Sequence, residues 1–226
     1  MPSIILNIET TTKNCSVSLA ENGKVLSMEE LNDGGYSHAE NLHPFIDFVL
    51  RESNKTYKDI SAIAVSKGPG SYTGLRIGVS AAKGLSFALE KPLISVDTLK
   101  ALAFKVTEES GVIIPMLDAR RTEVYQAVYS LNYNLIEPTK AALVELNSYD
   151  QYLAKGKVYF IGDAVEKVQS IITHPNAVFI ENEFPSAKEM ASLSFEKYQQ
   201  EDFEDVAYFE PYYLKDFVAI KSKKKF

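Results

Sequence analysis

One order of elements occurs twice in this chain, and it constrains the fold more than any other feature. Short apolar segments at residues 4–8 and 14–20 lead through Asn22-Gly23 into a third strand at 24–30. Asn and Gly tolerate the positive φ that a tight hairpin turn needs. Within the second segment Cys15, Val17 and Leu19 alternate with Asn14, Ser16 and Ser18, the period of a strand. A helix is expected over 37–51, where Ala39, Leu42, Phe45, Ile46, Val49 and Leu50 recur at helical spacing. Ser37 and Glu40 stand at capping-box spacing, and Pro44 is expected to bend this helix near its first turns. A strand at 60–66, a Gly-rich loop, a helix at 73–89 and a strand at 93–96 complete the half. The second half repeats the order. It has strands at 112–117, 123–130 and 134–137, the last two joined at Asn132-Tyr133, then a helix at 148–154 and a strand at 158–161. A helix at 164–172, a strand at 177–180 and a helix at 186–199 follow, and 202–226 is irregular.

Three meandering strands, a helix, a strand and a helix make the ribonuclease-H-like arrangement, here in tandem. The expected fold is therefore α/β, with two such domains. Each holds a mixed sheet of three antiparallel strands extended by parallel strands, with flanking helices. That order is typical of the actin, hexokinase and Hsp70 ATPase superfamily. A doubly wound sheet accounts less well for the two antiparallel hairpins. The division is expected at 1–106 and 107–226, with a tail from about 203 that can pack back on the first domain. The 226 residues are 46 % hydrophobic and 24 % charged, enough for a sizeable core without metal or disulfide staples. Cys15 is the only cysteine, which fits a reducing cytosol and excludes a disulfide scaffold. A net charge of -6 argues against a dedicated nucleic-acid module, though not against a local basic patch. No apolar run approaches the roughly 20 residues of a membrane span, and the first residues read as a strand, not a signal peptide. A cytoplasmic location is expected.

The segment from Lys67 to Gly78 leaves a strand and enters a helix through Gly68-Pro69-Gly70. Bare amides at such a helix start can hold an anion. The bland alternative is a turn capped by Ser71 or Thr73, since neither GxxxxGK[ST] nor GxGxxG is present. In the helix itself Gly74, Gly78 and Ala82 are spaced by four, while Leu75, Ile77, Val79, Ala81 and Leu85 line much of the rest. A helix apolar nearly all round must be covered on more than one side. A sheet covers one side. The other cover is either a partner molecule's helix or the preceding helix of the same chain, and the two are compatible.

These residues resemble the bacterial TsaB (YeaZ) proteins of the actin-like superfamily. The resemblance rests on Gly68-Pro69-Gly70-Ser71-Tyr72-Thr73-Gly74-Leu75-Arg76-Ile77-Gly78, on Ala82-Lys83-Gly84-Leu85, and on Asp118-Ala119-Arg120-Arg121-Thr122-Glu123-Val124-Tyr125. Ile8-Glu9-Thr10-Thr11, Ser37-His38-Ala39-Glu40, Gly162-Asp163 and Tyr213-Leu214-Lys215 add weaker support. It spans the chain from Met1 to about Lys215. It implies a role in tRNA modification: making threonylcarbamoyladenosine in ANN-decoding tRNAs, as a non-catalytic scaffold for the TsaD subunit. It further implies a small ATPase, TsaE, in the larger assembly, and a homodimer when the chain is alone. ATP and a metal are implied for the partner complex, no cofactor is assigned to this chain, and tRNA contact stays open. The partner interface is expected at Ser37, His38, Leu42, Ile46, Val49, Gly74, Gly78, Ala82 and Leu85. Two residues depart from the family pattern: Glu9 stands where Asp is usual, and Tyr72 where many members have Phe.

The residues point to no catalytic site of their own. His38 and His43 are five apart, about 140° around a helix, and His174 lies in a loop, so no metal centre is expected. Cys15 reads as a buried, inert thiol. Ser71 lacks a GxSxG setting, and no Ser-His-Asp order supports a protease. Glu9, Thr11, Gly70, Ser71, Thr73, Asp118 and Arg120 are the candidate anion or nucleotide contacts, and around magnesium-nucleotide they would serve an alternative ATPase or small-molecule kinase. For Arg120 and Arg121 the bland alternative is a salt bridge to Glu123 or another carboxylate. The basic run Lys221-Ser222-Lys223-Lys224-Lys225 reads as a solvated tail that can meet tRNA phosphate.

Overall fold

A computed structural model describes residues 2–32, 34–35 and 37–215. The basic run at 221–225 lies outside the described residues. Two five-stranded mixed sheets share one topology. In the first, β1 (Ile4–Glu9) pairs antiparallel with β2 (Cys15–Glu21), and β2 pairs antiparallel with β3 (Lys24–Leu31). On its other side β1 pairs parallel with β4 (Ala62–Gly68), which pairs parallel with β5 (Leu93–Asp97). The second sheet repeats this with β6 (Val112–Asp118), β7 (Glu123–Ser130), β8 (Leu135–Leu143), β9 (Val158–Ile161) and β10 (Ala177–Ile180). The tandem arrangement read from the sequence is the arrangement observed.

Helices cover both faces of each sheet, which is why β1 is buried at every position. Ile4, Leu6 and Ile8 meet α1 (His38–Glu52) and α2 (Tyr72–Leu89) through Leu42, Ile46, Val49 and Val79. Each such side chain taken from water contributes about 1.5–3 kcal/mol. Ile5 points the other way, to Met190 and Leu193 of α6 (Ala187–Gln199). On the second sheet α4 (Asp150–Leu153) and α5 (Val165–Gln169) cover one face. The opposite face is covered by α3 (Thr98–Ala103), whose Leu99, Leu102 and Ala103 pack on Ile113, Leu117 and Tyr159. Each half thus lends its last helix to the other half's sheet. Residues 202–215 run back along the first lobe, where Glu204 bridges Leu93 and Val206 and Phe209 pack on the core.

Several local expectations are corrected. Ser37 makes no side-chain cap on α1. Its carbonyl instead accepts from the amides of Glu40 and Asn41 (3.2 and 3.1 Å). Pro44 lies within α1, as read from the sequence, and the helix runs on to Glu52. The carbonyl that Pro44 leaves without a helical donor belongs to the exposed residue Glu40. The strand expected at 134–137 runs on to Leu143. Pro138 sits on this edge strand at a bulge, where its missing N–H breaks no ladder bond. α3 and a 3-10 turn at Tyr57–Asp59 were not anticipated.

Candidate functional site

The expected site residues fall in two places: a cleft between the lobes, and α1 and α2. The cleft has a volume of about 560 Å³ and is bounded by the β1–β2 turn, the Gly-rich loop, the β6–β7 turn and residues 212–215. The duplication places the two hairpin turns in equivalent positions of the two lobes. Of the candidate anion contacts, Thr11, Gly70, Ser71, Asp118 and Arg120 line this cleft. Thr73 is exposed on the first turn of α2, and Glu9 is fully buried at the end of β1.

On the first lobe the turn is sealed from within. Glu9 Oε1 accepts from the Thr11 amide (2.6 Å) and hydroxyl (2.5 Å), and Oε2 accepts from the Ser66 hydroxyl. Burial pushes the Glu9 pKa up, against the pull of these donors. The Ser71 amide donates to the Thr11 carbonyl (2.6 Å), and the Thr10 hydroxyl donates to the Gly74 carbonyl (2.7 Å). A Cβ on Gly70 would strike the Thr11 carbonyl, and one on Gly74 the Thr10 carbonyl. The glycines therefore let α2 sit directly on the β1–β2 turn. Ser71, not Thr73, caps α2: its hydroxyl accepts from the Gly74 amide at 3.3 Å. Cys15 lies buried nearby, its thiol pushed up to about 12 by burial and by Glu9.

On the second lobe charges hold the turn. Asp118 Oδ1 accepts from the Arg120 amide and the Lys167 ammonium, both at 2.6 Å, and Lys167 also donates to the Arg121 carbonyl (3.0 Å). Arg120 and Arg121 both adopt left-handed backbone, φ 67° and 56°. The expected pairing of these arginines with Glu123 is not formed among the described residues, because Lys215 takes that carboxylate. Asp163 accepts from the Asp118 amide (2.8 Å), and its pKa rises to about 6, chiefly through burial and further through the Asp118 charge.

This donor set does not fit the magnesium-nucleotide of an actin-like ATPase. Glu9 is saturated by hydroxyl and amide donors, and Asp118 already neutralises Lys167. Among the described residues no three His, Cys, Asp or Glu side chains converge on a point. His38 is buried with Nε2 at 2.7 Å from the Thr12 carbonyl, His43 is exposed, and His174 Nδ1 accepts from the Asn176 amide.

On α1 and α2, His38, Leu42, Ile46, Val49, Gly74, Gly78 and Ala82 of the expected interface are buried within this chain, beneath the outer face. A Cβ on Gly78 would strike the Thr10 hydroxyl, so the small-residue strip faces the chain's own β1–β2 turn. Ser37 and Leu85 are half-buried. The open surface is the neighbouring row: half-buried Phe45, Ile77 and Ala81, then Gly84, with nothing within 4 Å of its missing Cβ, and Phe87, 81 % exposed. The spacing Ile77, Ala81, Gly84 carried the signal for this row, but periodicity alone could not tell it from the inward one.

Two lobes of one topology, with exchanged helices and a cleft between them, define an actin-like protein. The family profile described as "TsaD: tRNA N6-adenosine threonylcarbamoyltransferase" matches residues 33–222. An Escherichia coli protein named tRNA threonylcarbamoyladenosine biosynthesis protein TsaB is 32 % identical over 225 residues, 96 % of each chain. A tRNA N6-adenosine threonylcarbamoyltransferase of Staphylococcus saprophyticus is 33 % identical over 157 residues, 61 % of this chain and 46 % of that one. Among solved structures, a Pseudomonas aeruginosa protein described as similar to the peptidase YeaZ superposes with TM-score 0.84 at 27 % identity, covering 94 % of this chain and all of that one. The chain belongs to the TsaB (YeaZ) family.

Proposed function

We propose that this chain serves threonylcarbamoyladenosine modification of ANN-decoding tRNAs as a non-catalytic scaffold that docks a TsaD-type catalytic subunit in the cytoplasm. The observation that supports the scaffold role is the state of the carboxylates at the two turns: Asp118, Asp163 and Glu123 in the cleft are engaged by the chain's own amides and lysines, and Glu9 beneath it by hydroxyls and an amide. The names of full-length relatives supply the pathway. Docking is assigned to the row Phe45, Ile77, Ala81, Gly84 and Phe87, supported from beneath by Leu42, Ile46, Val49, Gly74, Gly78 and Ala82. An exposed glycine inside a helix costs about 1 kcal/mol, and close approach of a partner's backbone offsets it. A TsaE-type ATPase joins the assembly, and the same face closes a homodimer when the catalytic subunit is absent.

The test is reconstitution of tRNA modification with the cognate catalytic subunit and remaining proteins, with and without this chain. Omission should abolish modification. Gly84→Arg and Phe87→Glu should block co-purification with the catalytic subunit while leaving the fold intact, and full binding by both variants would sink this surface. Tight binding of magnesium-ATP by the isolated chain, with turnover lost in Asp118→Ala, would move the reading to an ATPase or kinase.

A further inference from the structure

The segment following α6 does more than cover the first lobe. Its anchoring is one-sided. The Glu204 amide donates to the Leu93 carbonyl (2.8 Å), and its carboxylate accepts from the Ser95 hydroxyl (2.5 Å). Lys83 on α2 donates to the carbonyls of Ala207 (3.2 Å) and Phe209 (2.8 Å). The Tyr212 amide donates to the Lys67 carbonyl (2.7 Å). Tyr213 lies with its ring 5.1 Å from that of Tyr72, and its hydroxyl accepts from Arg76 Nε (3.3 Å). Arg76 in turn covers the Tyr72 ring at 4.2 Å. All of these partners belong to the first lobe. Among the described residues the hydrogen bonds from this segment to the second lobe are those of Lys215, to the Glu123 carboxylate and the Ala119 carbonyl (3.3 Å). Its ammonium also stands 5.9 Å from the Tyr125 ring.

We propose that residues 204–215 form a strap fixed to the first lobe and latched to the second by Lys215, and that this latch sets the width of the interlobe cleft. Lys215 and Glu123 border the cleft, as do Tyr212 and Tyr213, so the strap is one of its walls. The pair is neither sealed nor fully solvated: the Lys215 and Glu123 side chains are 31 % and 34 % exposed. Such a pair biases an equilibrium without locking it. The strap's tyrosine also packs on the first turn of α2, so the lobe angle and the N-terminal surface of that helix move together. The latch is made within this chain, whatever docks on α2, so the isolated chain suffices to test it.

Nitroxides at Lys58→Cys and Asn147→Cys, both exposed and on different lobes, report the lobe separation by electron–electron double resonance. Cys15 is buried with a raised thiol pKa and stays unlabelled. The parent should give a dominant short-distance population with a minor longer one. Lys215→Ala and Glu123→Gln should each raise a longer-distance population about two- to fivefold, the range an exposed pair commands. Lys215→Arg should restore the parent distribution, and the double variant should add nothing to Lys215→Ala, which loses both the Glu123 and the Ala119 contacts. An unchanged distribution in Lys215→Ala, or additive effects in the double variant, would overturn the latch.

Discussion

The two lobes share a topology strand for strand, yet they spend their residues differently. In the first, the helices between strands are long: α1 has 15 residues and α2 has 18. Their counterparts in the second, α4 and α5, have 4 and 5. The hairpin turns diverge in the same sense. The first is packed shut by glycines and threonines, the second is held by Asp118, Lys167 and two arginines in left-handed backbone. Both turns border the cleft, but the first is closed by its own hydroxyls and amides and the second by lysines. The long helices leave an apolar outer row on the first lobe, where the short ones only cover their sheet.

The exchange of α3 and α6 argues that these unlike lobes nevertheless unfold as one. Phe160, fully buried in the second lobe between Tyr149 and Phe179, tests this. Phe160→Ala should cost about 4 kcal/mol. Denaturant unfolding followed by hydrogen exchange in both lobes should still show a single transition. Loss of the second lobe alone would break the coupling inferred from the exchanged helices. Next in size is a contrast within α2. Gly74→Ala forces a methyl onto the Thr10 carbonyl and should lose about 3 kcal/mol. Gly84→Ala, ten residues on, meets open space and should gain about 1 kcal/mol in thermal unfolding. Equal signs at the two positions would mean that the inward and outward rows have been confused.

That confusion is the one the sequence invites. The strands, α1 and α2 were legible because their apolar periods are long and their turns carry Asn-Gly or Gly-Pro-Gly. α3 was not: six residues, Thr98–Ala103, are too few to show a period, and its cap, Asp97, reads equally well as the end of a strand. The continuation of β8 was hidden by Pro138, which marks a break anywhere except at an edge or bulge. Most of the nucleotide-like candidates did converge on the cleft, because hairpin turns of a duplicated fold must face each other. The burial of most expected interface residues was illegible for another reason. Periodicity reports that a helix row is apolar, but the cover for Gly74 and Gly78 is Thr10, distant in sequence and unmarked by any local pattern.

The acids beside the two turns separate the lobes again. Burial raises the pKa of both, but Glu9 is surrounded by donors, whereas Asp163 borders the cleft, faces the Asp118 carboxylate as well, and rises to about 6. A folded pKa above the ordinary value of 3.8 means that Asp163 adds stability below about pH 4, and that this is lost as pH rises toward 6. Asp163→Asn keeps an oxygen for the Asp118 amide and removes the charge. It should leave stability nearly unchanged at pH 3.5 and raise it by about 3 kcal/mol at pH 7. A gain of the same size at both pH values would show that the effect is not the proton's.

The smallest effect lies in the β6–β7 turn. Two non-glycine residues in left-handed backbone cost about 1 kcal/mol each, and an arginine gains nothing there by local hydrogen bonding. Asp118, Lys167 and Lys215 clamp the backbone around them through the Arg120 amide and the carbonyls of Arg121 and Ala119. Arg121→Gly relieves the strain at one position but frees the unfolded chain, so the net gain should be about 0.5 kcal/mol in thermal unfolding. A loss instead would mean that the guanidinium makes a stabilising contact in solution. The turn would then resemble its partner on the first lobe: closed by its own side chains, and not held in shape by its neighbours.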